Sequence, residues 1–361
     1  MELSQEAPSP FARQLSELVR TPTTAAMNLL ALAAILAIAI PLVNWALIDA
    51  VWTGEDGSSC PAGSGACWAF INDKLRLLLF GRYPYAEQWR PLAGTAILIT
   101  LVALVLNPML WSWRLAVGAT AGMAAYLTLM WGGVFGLTFV ESSEWGGLPL
   151  TVLLTVFGVG IGLLIAVPVA LARFSRLPVF RIAATIYVEA VRGVPLISVL
   201  FMASVLLPLI LPDGLTPSGM GRVLVGITLF FAAYMAEVLR GGLQSIPKGQ
   251  FDAAKSMGLR YGTTMFKVVL PQAFVVVLPA MVNMMIGALK GTSLVVIVAM
   301  MDLLGAAQAT LADPDWIGFY VEAYVFAGML YAIMCGTISW YGRRVERNLR
   351  AARQNSNSMN R

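Results

Sequence analysis

Few residues in this chain can do chemistry, and they come in short, spaced groups. Glu189 and Arg192 stand in the frame E-x-x-R-G, and Glu237 and Arg240 repeat it. The i,i+3 spacing puts each acid and base on one helix face. Asn283 and the run Lys290-Gly291-Thr292-Ser293 lie in or beside a long apolar stretch. An ionisable residue at such a place marks a functional site, while Asn283 and Thr292 can equally serve helix–helix hydrogen bonds; both readings stand. Cys60 and Cys67 can close a small loop in an oxidising compartment or remain two free thiols, with the disulfide as the leading reading. Their spacing does not fit a zinc site, and the chain has no histidine to complete a mixed one. This inventory offers no catalytic residue and no metal site.

The elements that must hold these groups are membrane helices. Of 361 residues, 58% are hydrophobic and only 12% charged. Soluble domains carry about 25% charged residues, so the chain reads as an all-α, polytopic transmembrane bundle. The net charge of +5 sits in short loops, which points to membrane topology and not to a nucleic-acid partner. No G-x-x-x-x-G-K-[ST] is present, so the chain is not expected to hydrolyse ATP.

About eight spans are expected, each of roughly 20 apolar residues. Residues 1–26 read as a polar tail. Residues 27–145 hold three spans: 27–48 with a kink at Pro41, 92–110, and 115–138. Residues 49–90 form a polar loop carrying the cysteines, with Trp68, Tyr83, Tyr85 and Trp89 as interfacial anchors. Gly118 and Gly122, and Gly132 and Gly136, are spaced for close helix approach, or are simply common membrane glycines. Residues 146–341 hold five more spans: 148–171, 183–211, 219–241, 272–298 and 318–341. Residues 342–361 form a basic tail with Arg343, Arg344, Arg347, Arg350 and Arg353.

The arginines set the orientation. With the N-terminus inside, Arg114, the Arg173/Arg176/Arg181 loop, Lys248, Lys255, Arg260, Lys267 and the C-terminal tail all face the cytoplasm. Glu141, Glu144, Asp213, Asp302, Asp313 and Asp315 fall on the other side, with the cysteine loop. Both termini are then cytoplasmic.

The longest polar interval of the second half is 236–271. It turns at Ile246-Pro247-Lys248-Gly249 and then reads as a short helix from Gln250 to Met257, with Gly258 as its left-handed stop. A second short helix is expected to end at Pro271. Phe251, Ala254, Met257 and Gly258 form a small apolar face suited to docking on another protein. Asp252-Ala253-Ala254, three residues, Gly258, nine residues, then Val268-Val269-Leu270-Pro271 resembles the E-A-A loop of binding-protein-dependent ABC importer permeases. Asp252 and Val268 replace the usual Glu and Ile. Tyr187-Val-Glu189-Ala-Val-Arg192-Gly193-Val-Pro195-Leu196 and the run from Glu237 to Gln250 narrow the resemblance to the polar amino-acid subfamily. The enlarged N-terminal part looks like the larger permease of general L-amino-acid importers.

The resemblance implies an assignment for each group. Residues 146–341 would be a five-span permease core. The hairpin 244–271, through Pro247 to Ala254 and Gly258, would couple to a cytoplasmic ATPase dimer that uses ATP and Mg; this chain itself would need no cofactor. Glu189, Arg192, Glu237 and Arg240 would form a cytoplasmic gate, or serve only as local ion pairs. Asn283 and Lys290 to Ser293 would line a substrate pathway. Gly291 stands where the subfamily usually has Asp, which removes a carboxylate from that pathway. A second permease, a paralogue before a copy, a periplasmic binding protein, L-amino acids and the surrounding lipid complete the expected partners, at a bacterial inner membrane. An ion-coupled secondary amino-acid transporter is the alternative.

Overall fold

The computed structural model describes residues 21–212 and 214–359. Residues 1–20, Asp213 and the last two residues lie outside it, so most of the expected polar tail and the expectation placed on Asp213 do too. Among the described residues the fold is helical, and β-structure is limited to two isolated bridges, Val51 with Cys67 and Gly147 with Asp302.

Contacts divide the chain into two compact units. The smaller comprises residues up to Asp73 together with Pro314–Glu322. It opens with α1, Pro22–Val43, started by a Thr21 capping box and a proline in the first turn. A π-helical turn, Asn44–Ile48, continues it. No residue of α1 is buried. A helix that is apolar all round and unburied within its own chain has the character of a membrane span. The loop behind it is closed by a disulfide between Cys60 and Cys67, whose Cα atoms are 5.9 Å apart. The Cys67 amide donates to Glu322 at 3.1 Å, and the Trp68 indole to the Ala46 carbonyl at 2.7 Å. Phe70, Trp316 and Phe319 stack beside them. Helix α2, Trp68–Phe80, starts in this unit and leads out of it.

The larger unit carries the other main helices, the last of which begins in the smaller unit. These are α3 Trp89–Val105, α4 Trp113–Trp131, α5 Gly147–Phe174, α6 Pro178–Arg192, α7 Leu196–Phe201, α8 Gly219–Gln244, α9 Lys248–Ser256, α10 Leu270–Gly291 and α11 Leu303–Thr310. The last, α12, runs Tyr320–Met359. Six helices are long and apolar enough to cross a membrane among the described residues, or seven if the bent pair Pro178–Arg192 and Leu196–Ile210 is one span. Helix α4, expected as the third span, has 19 residues but is not among these six.

Three expectations need correction. The expected span 183–211 is broken, its halves bent by 105°. Pro195 has no N–H to continue a helix, and Val194 before it is driven out of the α region. The expected stop at Pro271 is no stop. The helix runs unbroken as Tyr261–Val298, with a π-helical turn at Met265–Val269 just before the proline. A π turn is one way a helix absorbs the clash between a proline ring and the carbonyl four residues back. Finally, Gly132 and Gly136 are not helix-packing glycines. Helix α4 ends at Trp131, and both adopt positive φ in the loop beyond.

The core of this unit is α5 against α8. A Cβ on Gly158 would lie 2.4 Å from Ile227, and one on Gly162 would lie 3.2 Å from the Thr228 carbonyl. This i,i+4 pair lets the two backbones approach, as small residues do between membrane helices. Gly122 plays a lesser part, against Leu101 at 2.6 Å, while Gly118 meets nothing. Arg90 is fully buried, and donates to the carbonyls of Leu129 at 2.7 Å and Thr138 at 2.9 Å. It thereby ties the start of α3 to the loop after α4.

Candidate functional site

The residues expected to form a gate, Glu189, Arg192, Glu237 and Arg240, come together at one end of the α5–α8 pair. Glu237, near the end of α8, accepts from Arg240 at 2.6 and 3.0 Å, so this i,i+3 pair forms. Glu189 and Arg192 do not pair with each other. Arg173, in the last turn of α5, reaches between the helices. It donates to Glu189 at 2.9 Å and also to Glu237. Arg192 faces Glu237 across 4.0 Å, its guanidinium 5.6 Å from the Tyr234 ring. Three arginines thus converge on one carboxylate, with Glu189 as the second. Arg173 had only been read as one of several loop arginines. Its position two residues before the helix-breaking Ser175 was the available signal that it belongs to a helix end. A guanidinium there also meets the negative end of the helix dipole.

Just beyond lies α9. Ser245 and Pro247 lead into it, and Gln250 shares an amide hydrogen bond with Gln272 at 3.0 Å. Its C-terminus is closed by a pair of bonds: Gly258 N–H to Lys255 O at 2.9 Å and Leu259 N–H to Ala254 O at 3.0 Å. These form a Schellman motif, which needs a left-handed residue, and Gly258 has φ +71°. The apolar face expected to dock on a partner is divided: Phe251 and Ala254 turn inward, while Met257 and Gly258 stay exposed. Ala254 is buried, and the Phe251 ring stacks on Phe174 of α5 at 6.4 Å. A nine-residue helix has too little propensity to stand alone, so it uses that face to hold itself to its own bundle. What it offers outward is Pro247, Lys248, Gly249, Gln250, Asp252, Ala253, Lys255 and Met257, the last 70% exposed.

The residues expected to line a substrate pathway separate. Lys290 and Ser293 line an open cavity of about 250 Å³ with Leu304 of α11 and Tyr324, Gly328 and Tyr331 of α12. Asn283 is exposed on α10 and outside this cavity. A Cβ on Gly291 would meet Leu196 of α7 at 3.0 Å, so a side chain there points at the broken span and not into the cavity. Thr292 is buried; it donates to the Leu289 carbonyl at 2.8 Å and lies 3.4 Å from the Tyr331 hydroxyl.

Behind the cavity lies a residue whose role went unread. Asp302, expected among the outer acids, is fully buried. It caps α11 by accepting from Gly305 N–H at 2.9 Å, and accepts from the Tyr331 hydroxyl at 2.8 Å. The adjacent Gly147 N–H donates to Met301 O at 2.8 Å, and Leu303 N–H to Thr151 at 3.0 Å. A buried carboxylate needs such partners. The signal was Asp302 directly before the apolar run Leu303-Leu304-Gly305, an N-cap position. Its oxygens are engaged, which leaves Lys290 as the charged group lining the cavity.

Residues 158–351 match the family described as the binding-protein-dependent transport system inner membrane component. The inner membrane amino-acid ABC transporter permease protein YhdY of Escherichia coli (strain K12) is 41% identical over 319 residues, 87% of this chain and 86% of that protein. The glutamate/glutamine/aspartate/asparagine transport system permease protein BztC of Rhodobacter capsulatus is 30% identical, over 84% of this chain and 86% of its own. The L-cystine transport system permease protein TcyB of Bacillus subtilis is 33% identical, over only 58% of this chain but 89% of its own. A crystal structure of an amino acid ABC transporter with histidines is 30% identical, covers 56% of this chain and 92% of that one, and superimposes with a TM-score of 0.50. A helical bundle of this kind, matched by its family over more than half its length, is a multi-pass inner-membrane protein, and the chain belongs to the binding-protein-dependent transport-system permeases as an amino-acid ABC importer permease subunit.

Proposed function

We propose that this chain is one half of the membrane pathway of an ATP-driven importer of L-amino acids. A periplasmic binding protein delivers substrate, a second permease (a paralogue) completes the pathway, and a cytoplasmic ATPase dimer drives it. The observation that carries this reading is α9: a short, exposed helix with its own C-cap, held by Phe251 against the end of α5 that also carries Arg173. A push on α9 is transmitted through the Phe174 contact to the Arg173–Glu237–Glu189 cluster at the ends of α5, α6 and α8. That cluster acts as the gate. Both chain ends then lie in the cytoplasm, with α4 as an eighth crossing helix. At 1.5 Å per residue its 19 residues span about 28 Å, close to the hydrocarbon thickness. An ion-coupled carrier has no use for a partner-binding helix of this kind.

The cavity beside Lys290 receives the substrate, and its ammonium pairs with a carboxylate. This favours acidic and uncharged amino acids over basic ones in this half of the pathway. Lys290→Gln should lower glutamate uptake about fivefold relative to arginine uptake, the effect of roughly 1 kcal/mol from a partly solvated charge pair. Competition between the two labelled substrates at saturating binding protein measures it. An unchanged ratio in an active variant would place selectivity elsewhere.

The reading as a whole is tested in proteoliposomes holding the chain with its second permease and ATPase. Accumulation of labelled amino acid should require ATP inside the ATPase compartment and binding protein on the opposite face. Uptake driven by an ion gradient without ATP would overturn it. Sidedness has its own check. A membrane-impermeant maleimide added from outside should label neither Cys60 nor Cys67 until a reductant opens the bond between them. It should then react faster at the half-buried Cys60 than at the buried Cys67. Labelling without reductant would refute the external disulfide.

A further inference from the structure

A second cavity, of about 310 Å³, opens between α3, α5, α10 and α12. Its floor is Val152 and Leu289, both buried, and its mouth is Ile99, Ile333 and Trp340, each more than half exposed. The polar groups in its wall are already engaged. Thr155 donates to the Thr151 carbonyl at 2.8 Å, Thr337 to Ile333 at 2.8 Å, and Tyr341 to Ala103 at 2.5 Å. An amino acid's carboxylate would find no free hydrogen-bond donor there and the rest of the wall is apolar, so the cavity suits an apolar occupant. Its rim is basic. The Arg344 guanidinium lies 5.7 Å from the ring of Trp340, which lines the mouth. Arg344 follows Tyr341 by three residues and Trp340 by four, so it continues the lining face of α12 by one turn, and Arg347 continues it by another. Arg343 stands beside them, bonded to Ser339 at 2.8 Å.

We infer that this cavity is a binding site for an anionic phospholipid, its acyl chain in the apolar slot and its phosphate on Arg344 and Arg347. The slot alone would also accept an apolar side chain of a neighbouring subunit. The arginines one turn beyond it decide for a ligand that carries a long apolar tail and a negative head together, as basic pockets between membrane helices do. The amino-acid pathway beside Lys290 has no part in this, since the two cavities share no lining residue.

The test uses the full chain in nanodiscs of phosphatidylcholine with a trace of phosphatidylglycerol bearing a photoactivatable group near its acyl terminus. After illumination, labelled peptides are mapped by mass spectrometry. Label should concentrate on the α3 and α12 segments that line the slot. Arg344→Gln with Arg347→Gln should reduce it roughly thirtyfold, two charges being removed from an anionic contact. Val156→Trp, which fills the slot and leaves the arginines, should also remove it. Equal labelling by a choline-headed analogue, undiminished labelling in the double-arginine variant, or label spread evenly over all exposed helices would each overturn the site. So would label that disappears when the second permease is added, because the slot would then belong to a protein contact.

Discussion

Glu237→Gln should stop transport while leaving the chain in the membrane. The carboxylate is three-quarters buried and accepts from two arginines, with a third at 4.0 Å. Glutamine keeps the shape and removes the charge. Arg173, Arg192 and Arg240 would then share a single remaining acid, Glu189, which is more than half exposed. Breaking a largely buried pair by removing one partner is strongly unfavourable, and about 2–3 kcal/mol is expected here because Arg240 and Arg192 still reach solvent. The consequence is separation of the ends of α5, α6 and α8. Two readouts check this: ATP-driven uptake, expected to be lost, and the thermal midpoint of the purified chain, expected to fall. Adding Arg173→Gln to the same chain rebalances the charge and should recover part of the midpoint, though not the transport. A Glu237→Gln chain with normal uptake and an unchanged midpoint would reduce the cluster to simple charge neutralisation at the membrane edge.

Gly258→Val should uncouple the chain from its ATPase. The backbone at Gly258 has φ +71°, and a Cβ there would meet nothing within 4 Å. The strain is therefore entirely conformational, with no steric neighbour to relax. A β-branched residue in the left-handed region loses about 1–2 kcal/mol. The Schellman bonds that end α9 are the part under load, so the helix end frays and the outward surface from Lys248 to Met257 loses its shape. Membrane insertion should be normal, uptake absent and co-purification with the ATPase weakened by about tenfold. Gly258→Asn, which tolerates the left-handed region, should retain much of the activity. Retention of tight ATPase binding by the valine variant would move the coupling surface away from α9.

Much of this was legible along the chain because it depends on neighbours in sequence. The Glu237–Arg240 pair needs only i,i+3 spacing on a helix. The cap at Gly258 needs a glycine at the end of a short helical run. The proximity of Cys60 and Cys67 needs only six intervening residues. The spans follow from the length of apolar runs, since a bilayer accepts little else.

The tertiary structure alone decided which faces meet. In a soluble helix, polar and apolar stripes announce the buried side. In α5 that stripe is missing, because lipid is as apolar as the protein interior. The sequence therefore did not mark Gly158 and Gly162, and not Gly132 and Gly136, as the close-approach pair. It did not show that Arg173 would reach across to Glu189 and take it from Arg192, since that choice depends on the rotation of three helices about their axes. Asp302 looked like an outer acid because its burial comes from Tyr331, 29 residues away, and from Gly147 and Thr151 at the start of α5. Phe251 looked available to a partner until Phe174 was seen to cover it. The sequence by itself determined a multi-span helical bundle with a short polar helical hairpin between two spans, because hydropathy and turn chemistry are local; that it is a permease subunit rests on likeness to relatives. How that hairpin, the arginine cluster and the two cavities are placed was set by long-range packing, where one apolar surface is chosen over another by shape and not by polarity.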